Sequence, residues 1–112
     1  MQTDLLERIN KVITDISKHV TLPKIEVKIK PMENAVGWGL VGKNKICIAE
    51  QCATYKDETI AHIVTHELGH AVYSLGHDVN CPVMKPAFRT VSTREQQIEL
   101  LKKCQQSMAK QQ

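Results

Sequence analysis

The sequence predicts an α+β fold, with a small twisted sheet, mainly antiparallel or mixed, backed by helices. Three patterns lead there. Apolar residues recur on one side of a helix near the N-terminus. They then alternate strictly in the segment KIEVKIK, and they return to helical spacing on both sides of the pentapeptide HELGH. At 112 residues there is room for one modest core, so a single domain over 1–112 is expected.

From Thr3 to His19 the apolar stripe is Leu5, Leu6, Ile9, Val12, Ile13 and Ile16, and Thr3 or Asp4 can cap its start. Pro23 closes that region. In KIEVKIK, Ile25, Val27 and Ile29 fall opposite Glu26, Lys28 and Lys30, which suits a half-buried strand. AVGWGLVGKNKICIAE reads as two short strands around a turn at Gly42-Lys43-Asn44. Gly37 and Gly39 flank Trp38, where they mark a bulge or a close backbone approach; Trp38 otherwise supplies core volume. Asp57 can cap a helix running from about Glu58 to Leu75, which Gly76 would stop. An irregular stretch with Pro82 and Pro86 follows. The last helix begins near Ser92, where Ser92 and Glu95 fit a capping box. The N-terminal helix and the HELGH helix are expected to back the sheet.

Composition narrows the function. A net charge of +3 with lysines spread along the chain gives no concentrated basic patch, so no nucleic-acid partner is expected. No apolar run reaches the eighteen or so residues of a membrane span, and no signal-peptide core is visible, so a cytoplasmic monomer without a membrane partner is expected. Cys47, Cys52, Cys81 and Cys104 form no CxxC pair and read as buried or unpaired thiols rather than a structural zinc site.

The chemistry gathers at residues 66–70. Side chains four apart on a helix share a face, so His66 and His70 can reach one metal ion with neutral imidazole nitrogens. Glu67 is rotated from His66 by about 100°. Its carboxylate therefore stands beside the ion, placed to take a proton from a water there. The bland reading is a polar helix face with histidines four apart by chance. Burying those groups in so apolar a helix would be costly without a purpose. Gly69 also costs roughly 1 kcal/mol of helix stability against alanine, unless another segment needs the space.

With these residues in view, HELGHAVYSLGHD followed by CPVMKP resembles the metzincin zinc peptidases, whose pattern is HExxHxxGxxH with a downstream methionine turn. The resemblance implies a minimal zincin-like domain with one catalytic Zn2+. It makes His66, His70 and His77 the ligands, Glu67 the base and Met84 the turn methionine. The chain departs from the pattern in having Tyr73 at the family glycine and the third histidine one residue late. Other candidates for the third ligand are Glu95 or Glu99, as in gluzincins, and Asp78. A peptide or protein substrate would lie along an edge strand near Gly37, Trp38 and Gly39, with Ala87 and Phe88 walling a specificity pocket. The alternative function is a non-catalytic zinc- or peptide-binding module on the same fold. Cys81 could silence the site as a thiolate ligand.

Overall fold

The computed structural model describes residues 2–86 and 90–110. Helix α1 spans Gln2–Ser17, and three strands follow: β1 (Glu26–Lys30), β2 (Gly37–Leu40) and β3 (Lys45–Ala49). A short 3-10 turn at Glu50–Thr54 leads into helix α2 (Asp57–Tyr73), and helix α3 (Arg94–Lys110) completes the domain. This is the expected α+β arrangement, with a mixed sheet in the order β1-β3-β2. β1 runs parallel to β3, with Val27 beside Ile46 and Ile29 beside Ile48. β2 runs antiparallel to β3, with Gly37 beside Ile48 and Gly39 beside Ile46. The intervening turn takes Gly42 and Asn44 to φ 76° and 52°, a left-handed conformation that both residue types tolerate.

The core is aliphatic. Leu5, Ile9 and Ile16 of α1 meet Ile46 and Ile48 of β3, and Ile60, Ile63, Val64 and Leu68 of α2. α2 is the central element: every residue from Ile60 to Gly69 is buried, which is how a helix reads when neighbours cover it all round. Two glycines on its neighbour β2 explain the closeness of packing. A Cβ on Gly39 would collide with the Glu67 carbonyl, and one on Gly37 would lie 3.3 Å from Glu67 Cγ. Both glycines therefore mark a close approach of β2 to α2, and Trp38 between them is left outside the core cluster.

Several helix ends differ from expectation. α1 begins at Gln2, so Asp4 lies within its first turn. The N-cap of α2 is Lys56, with no side-chain cap; Asp57 is already helical and pairs with Arg8 at 2.8 Å. Arg8 also donates to the carbonyls of Ala53 and Tyr55, so α1 supplies the bracing that a cap would have given. α2 stops at Tyr73, two residues early, because Ser74 takes the left-handed conformation (φ 57°) that was expected of Gly76. The box opening α3 is Thr93 with Gln96, each side chain bonded to the other's backbone N–H, rather than Ser92 with Glu95. Ser92 is occupied elsewhere, as the partner of His62. The 3-10 turn had no counterpart in the sequence patterns. Among the described residues no helix is long and apolar enough to cross a membrane.

Candidate metal centre

The site is built on the last turns of α2 and on the loop that leaves it. His66 and His70 project from one side of α2, with ring centroids 4.7 Å apart. His66 Nδ1 donates to the Val83 carbonyl at 2.8 Å, and His70 Nδ1 donates to the Leu75 carbonyl at 2.6 Å. Each bond sets the tautomer of the neutral ring, in which Nδ1 carries the proton and Nε2 is the atom free to bind a cation. These two Nε2 atoms face one another at 3.1 Å. Two lone pairs at that distance repel unless a proton or a cation lies between them.

After Tyr73 the chain turns at Ser74, and Leu75 N–H bonds back to the Gly69 carbonyl at 3.0 Å. This reversal brings His77 to the open side of the pair, with its ring 5.2 Å from His66 and 5.0 Å from His70. One ligand atom from each of the three histidines lies within 4.8 Å of the others. The cluster is compatible with a zinc site: three imidazoles, two held by backbone carbonyls, with His77 exposed and able to adjust. The extra residue before His77 is absorbed by the early helix end.

The other candidates for the third position stand elsewhere. The Asp78 carboxylate accepts the Asn80 N–H at 2.9 Å, closing a local turn. Glu99 pairs with Lys103 on the exposed side of α3, and Glu95 is exposed in the first turn of that helix. Cys81 lies in the loop below His77, and neither it nor these carboxylates joins the three-histidine group.

Glu67 is only 3% exposed, and burial pushes its carboxyl up to about 7. Burial also brings His66 down to about 4, partly opposed by its bond to Val83, which keeps that ring neutral. Beneath the histidines, Met84 is 2% exposed and lies against Gly69: a Cβ there would come within 2.8 Å of the methionine sulfur. The loop carrying Met84 is tied by Asp78 N–H to the Met84 carbonyl at 2.9 Å. Gly69 is the vacancy into which that loop packs, as its helix cost suggested.

Behind the site, a buried polar cluster joins α2 to α3. Ser92 N–H donates to His62 Nδ1 at 2.9 Å, and Gln97 Nε2 donates to the Ser92 carbonyl and hydroxyl, both at 3.1 Å. Thr65 reaches Gln97 Oε1 at 3.3 Å. In front of the site a cleft of about 470 Å³ runs between His77, Pro86, Gly37 and the loop before β2. Gln51 braces that loop by donating to the carbonyls of Met32 and Ala35. Gly37, Trp38 and Gly39 lie on β2, an edge strand beside Glu67 and the cleft. Phe88 and Ala87 fall outside the described residues.

Pattern reading missed the carbonyls of Val83 and Leu75, which carry no side-chain signature, and Gln51, whose role depends on a loop conformation. The buried partners of His62 had a faint signal, since Ser92 and Gln97 lie five residues apart at a helix entrance.

No protein-family model matches the chain, and no curated protein matches it. Among solved structures it is similar to the crystal structure of the metallopeptidase zymogen of Methanocaldococcus jannaschii jannalysin. The TM-score is 0.52 at 15% identity, over 93% of this chain and 96% of that one. The likeness is one of fold. It matches a minimal metallopeptidase-like architecture across nearly the whole length of both chains.

Proposed function

We propose that this chain is a zinc-dependent endopeptidase of metzincin-like type. The observation that carries the reading is the cluster of His66, His70 and His77 with the buried Glu67 carboxylate beside it. His66 and His70 would hold zinc through Nε2, oriented by the Val83 and Leu75 carbonyls, and His77 would complete three protein ligands. A bound zinc supplies Lewis acidity, polarising a carbonyl and acidifying water. Glu67 takes the proton of the attacking water and returns it to the leaving amine nitrogen. Met84 fills the space under the ligands against Gly69, and so keeps water out from below.

An extended peptide would pair with the outer edge of β2, using main-chain groups of Gly37, Trp38 and Gly39. One of its side chains would enter the cleft beside His77 and Pro86.

Metal analysis of purified protein should find about one zinc per chain. His77→Ala should lose it. Glu67→Gln should keep the metal and lose cleavage of a peptide library by at least about 100-fold, the usual contribution of a general base. Zinc retained in His77→Ala but lost in Glu99→Ala would replace this ligand set with a gluzincin-like one. Full activity in Glu67→Gln would rule out the role given to the carboxylate.

A further inference from the structure

The sheet has a second face that no described helix covers. Its identity follows from the close contacts of Gly37 and Gly39 with α2. Side chains alternate along a strand, so Trp38 and Leu40 must point away from the helices. The register extends this across the sheet: Trp38 and Lys28 flank Cys47 in one row, while Leu40 and Glu26 flank Lys45 in the next. Lys30 continues the same side of β1.

Lysines that look spread in the sequence are thus collected by alternation onto one face. Burial pushes the Cys47 thiol up, and Lys30, Lys28 and Lys45 each pull it back, as charges grouped around one point do. Glu26 is the single acid in these rows. It pairs with Lys45 at 3.1 Å and reaches Lys28 at 4.0 Å, while Lys30 has no ion pair among the described residues. Between the charges lie the chain's one tryptophan, half-buried, and Leu40, 41% exposed, with Val41 beyond it at 60%. A domain with so few aromatic residues leaves its largest one outside its own core.

We propose that this face is a docking surface for an extended, acidic polypeptide segment carrying an aliphatic or aromatic side chain. The carboxylates of the segment meet Lys28, Lys30 and Lys45, and its apolar side chain lies on Trp38 and Leu40. A polypeptide fits better than a nucleic acid because Trp38 and Leu40 offer an apolar contact beside the charges, and because Glu26 among the lysines can accept a backbone N–H, a donor that a phosphate backbone lacks. On the peptidase reading, on which this use rests, the surface selects substrates: β2 supplies both Trp38 and the edge beside the cleft. Substrates would then carry an acidic stretch outside the cleaved residues.

Trp38 reports directly on the proposal, because its fluorescence is the only tryptophan signal in the chain. The Glu67→Gln protein, which cannot cleave on this reading, is titrated with a synthetic Glu- and Asp-rich peptide bearing a central Leu. Parallel titrations use a Lys-rich peptide and a single-stranded oligodeoxynucleotide. The acidic peptide should shift Trp38 emission saturably. Binding should weaken at least about tenfold on adding Lys28→Glu and Lys30→Glu, and survive Lys28→Arg with Lys30→Arg. It should also weaken from about 0.1 to about 1 M salt, where the screening length falls from about 10 to about 3 Å.

No saturable shift, or equal binding after charge reversal in protein with unchanged circular dichroism, overturns the proposal. Tighter binding of the oligodeoxynucleotide than of the peptide overturns it in favour of a nucleic-acid surface. Cleavage by the parent separates the two readings. An acidic peptide that binds with charge-dependent affinity but is never cut sinks the peptidase while the docking surface stands. One cut equally well by parent and charge-reversed protein sinks the docking surface while the peptidase stands.

Discussion

At residue scale, the site is set by groups that burial holds in their neutral forms, and this has a readable pH signature in metal-stripped protein. His62 and His66 both have folded pKa values lowered by burial, so their contribution to stability is complete above about 6.5 and is lost as pH falls below it. Glu67 acts in the opposite sense. Its folded pKa is raised to about 7, so protonated Glu67 favours the fold at low pH and that advantage is lost as pH rises from about 4.5 to 7. Urea midpoints of chelated Glu67→Gln should therefore rise with pH more steeply than those of the parent over that window. The variant should be the more stable protein above pH 7, by on the order of 3 kcal/mol. A second residue-scale test concerns packing. Gly39→Ala forces a methyl against the Glu67 carbonyl and should cost at least about 1–3 kcal/mol, whereas Gly76→Ala meets nothing and should stay within about 0.5 kcal/mol. Denaturant unfolding of both variants decides it.

At element scale, the helix ends show where sequence patterns are strong and where they are not. The existence of α1, α2 and the β2–β3 hairpin followed from periodicity, and HELGH located the candidate histidines on α2. The ends did not follow as closely, because competing local signals differ by little energy. Ser74 adopts the left-handed turn two residues before Gly76, since the chain must already reverse for Leu75 N–H to meet the Gly69 carbonyl. Ser74→Gly should relieve that backbone and raise stability by about 0.5–1 kcal/mol without loss of zinc. Likewise Ser92 is drawn into the buried cluster with His62, which hands the cap of α3 to Thr93. Thr93→Ala should cost about 1 kcal/mol, while Glu95→Ala stays near neutral and keeps its zinc. Thermal unfolding with metal analysis measures both.

At the scale of the whole molecule, the fold serves as a short scaffold on which one buried helix carries most of the candidate site. Composition was enough to anticipate one aliphatic core, but it could not show that three lysines share a sheet face, because that depends on register. Nor could it show that main-chain carbonyls aim two of the imidazoles. Zinc binding to the folded chain alone stabilises it by mass action, about 2.7 kcal/mol when the free ion is a hundred times its dissociation constant. Added zinc should raise the melting temperature of the parent and leave that of His66→Ala and His70→Ala unchanged, as scanning calorimetry would show.

The carbonyls of Val83 and Leu75 carry a further consequence, for how such a chain can change over time. An aspartate that oriented an imidazole could be lost in a single substitution; a peptide carbonyl is present whatever side chain is attached to it. Residues 79–82 are therefore open to exchange, provided the loop keeps its path and Met84 keeps its place against Gly69. A library randomised at those four positions should yield mostly zinc-binding members. Selection can then act on what surrounds the three histidines, leaving their alignment to the backbone.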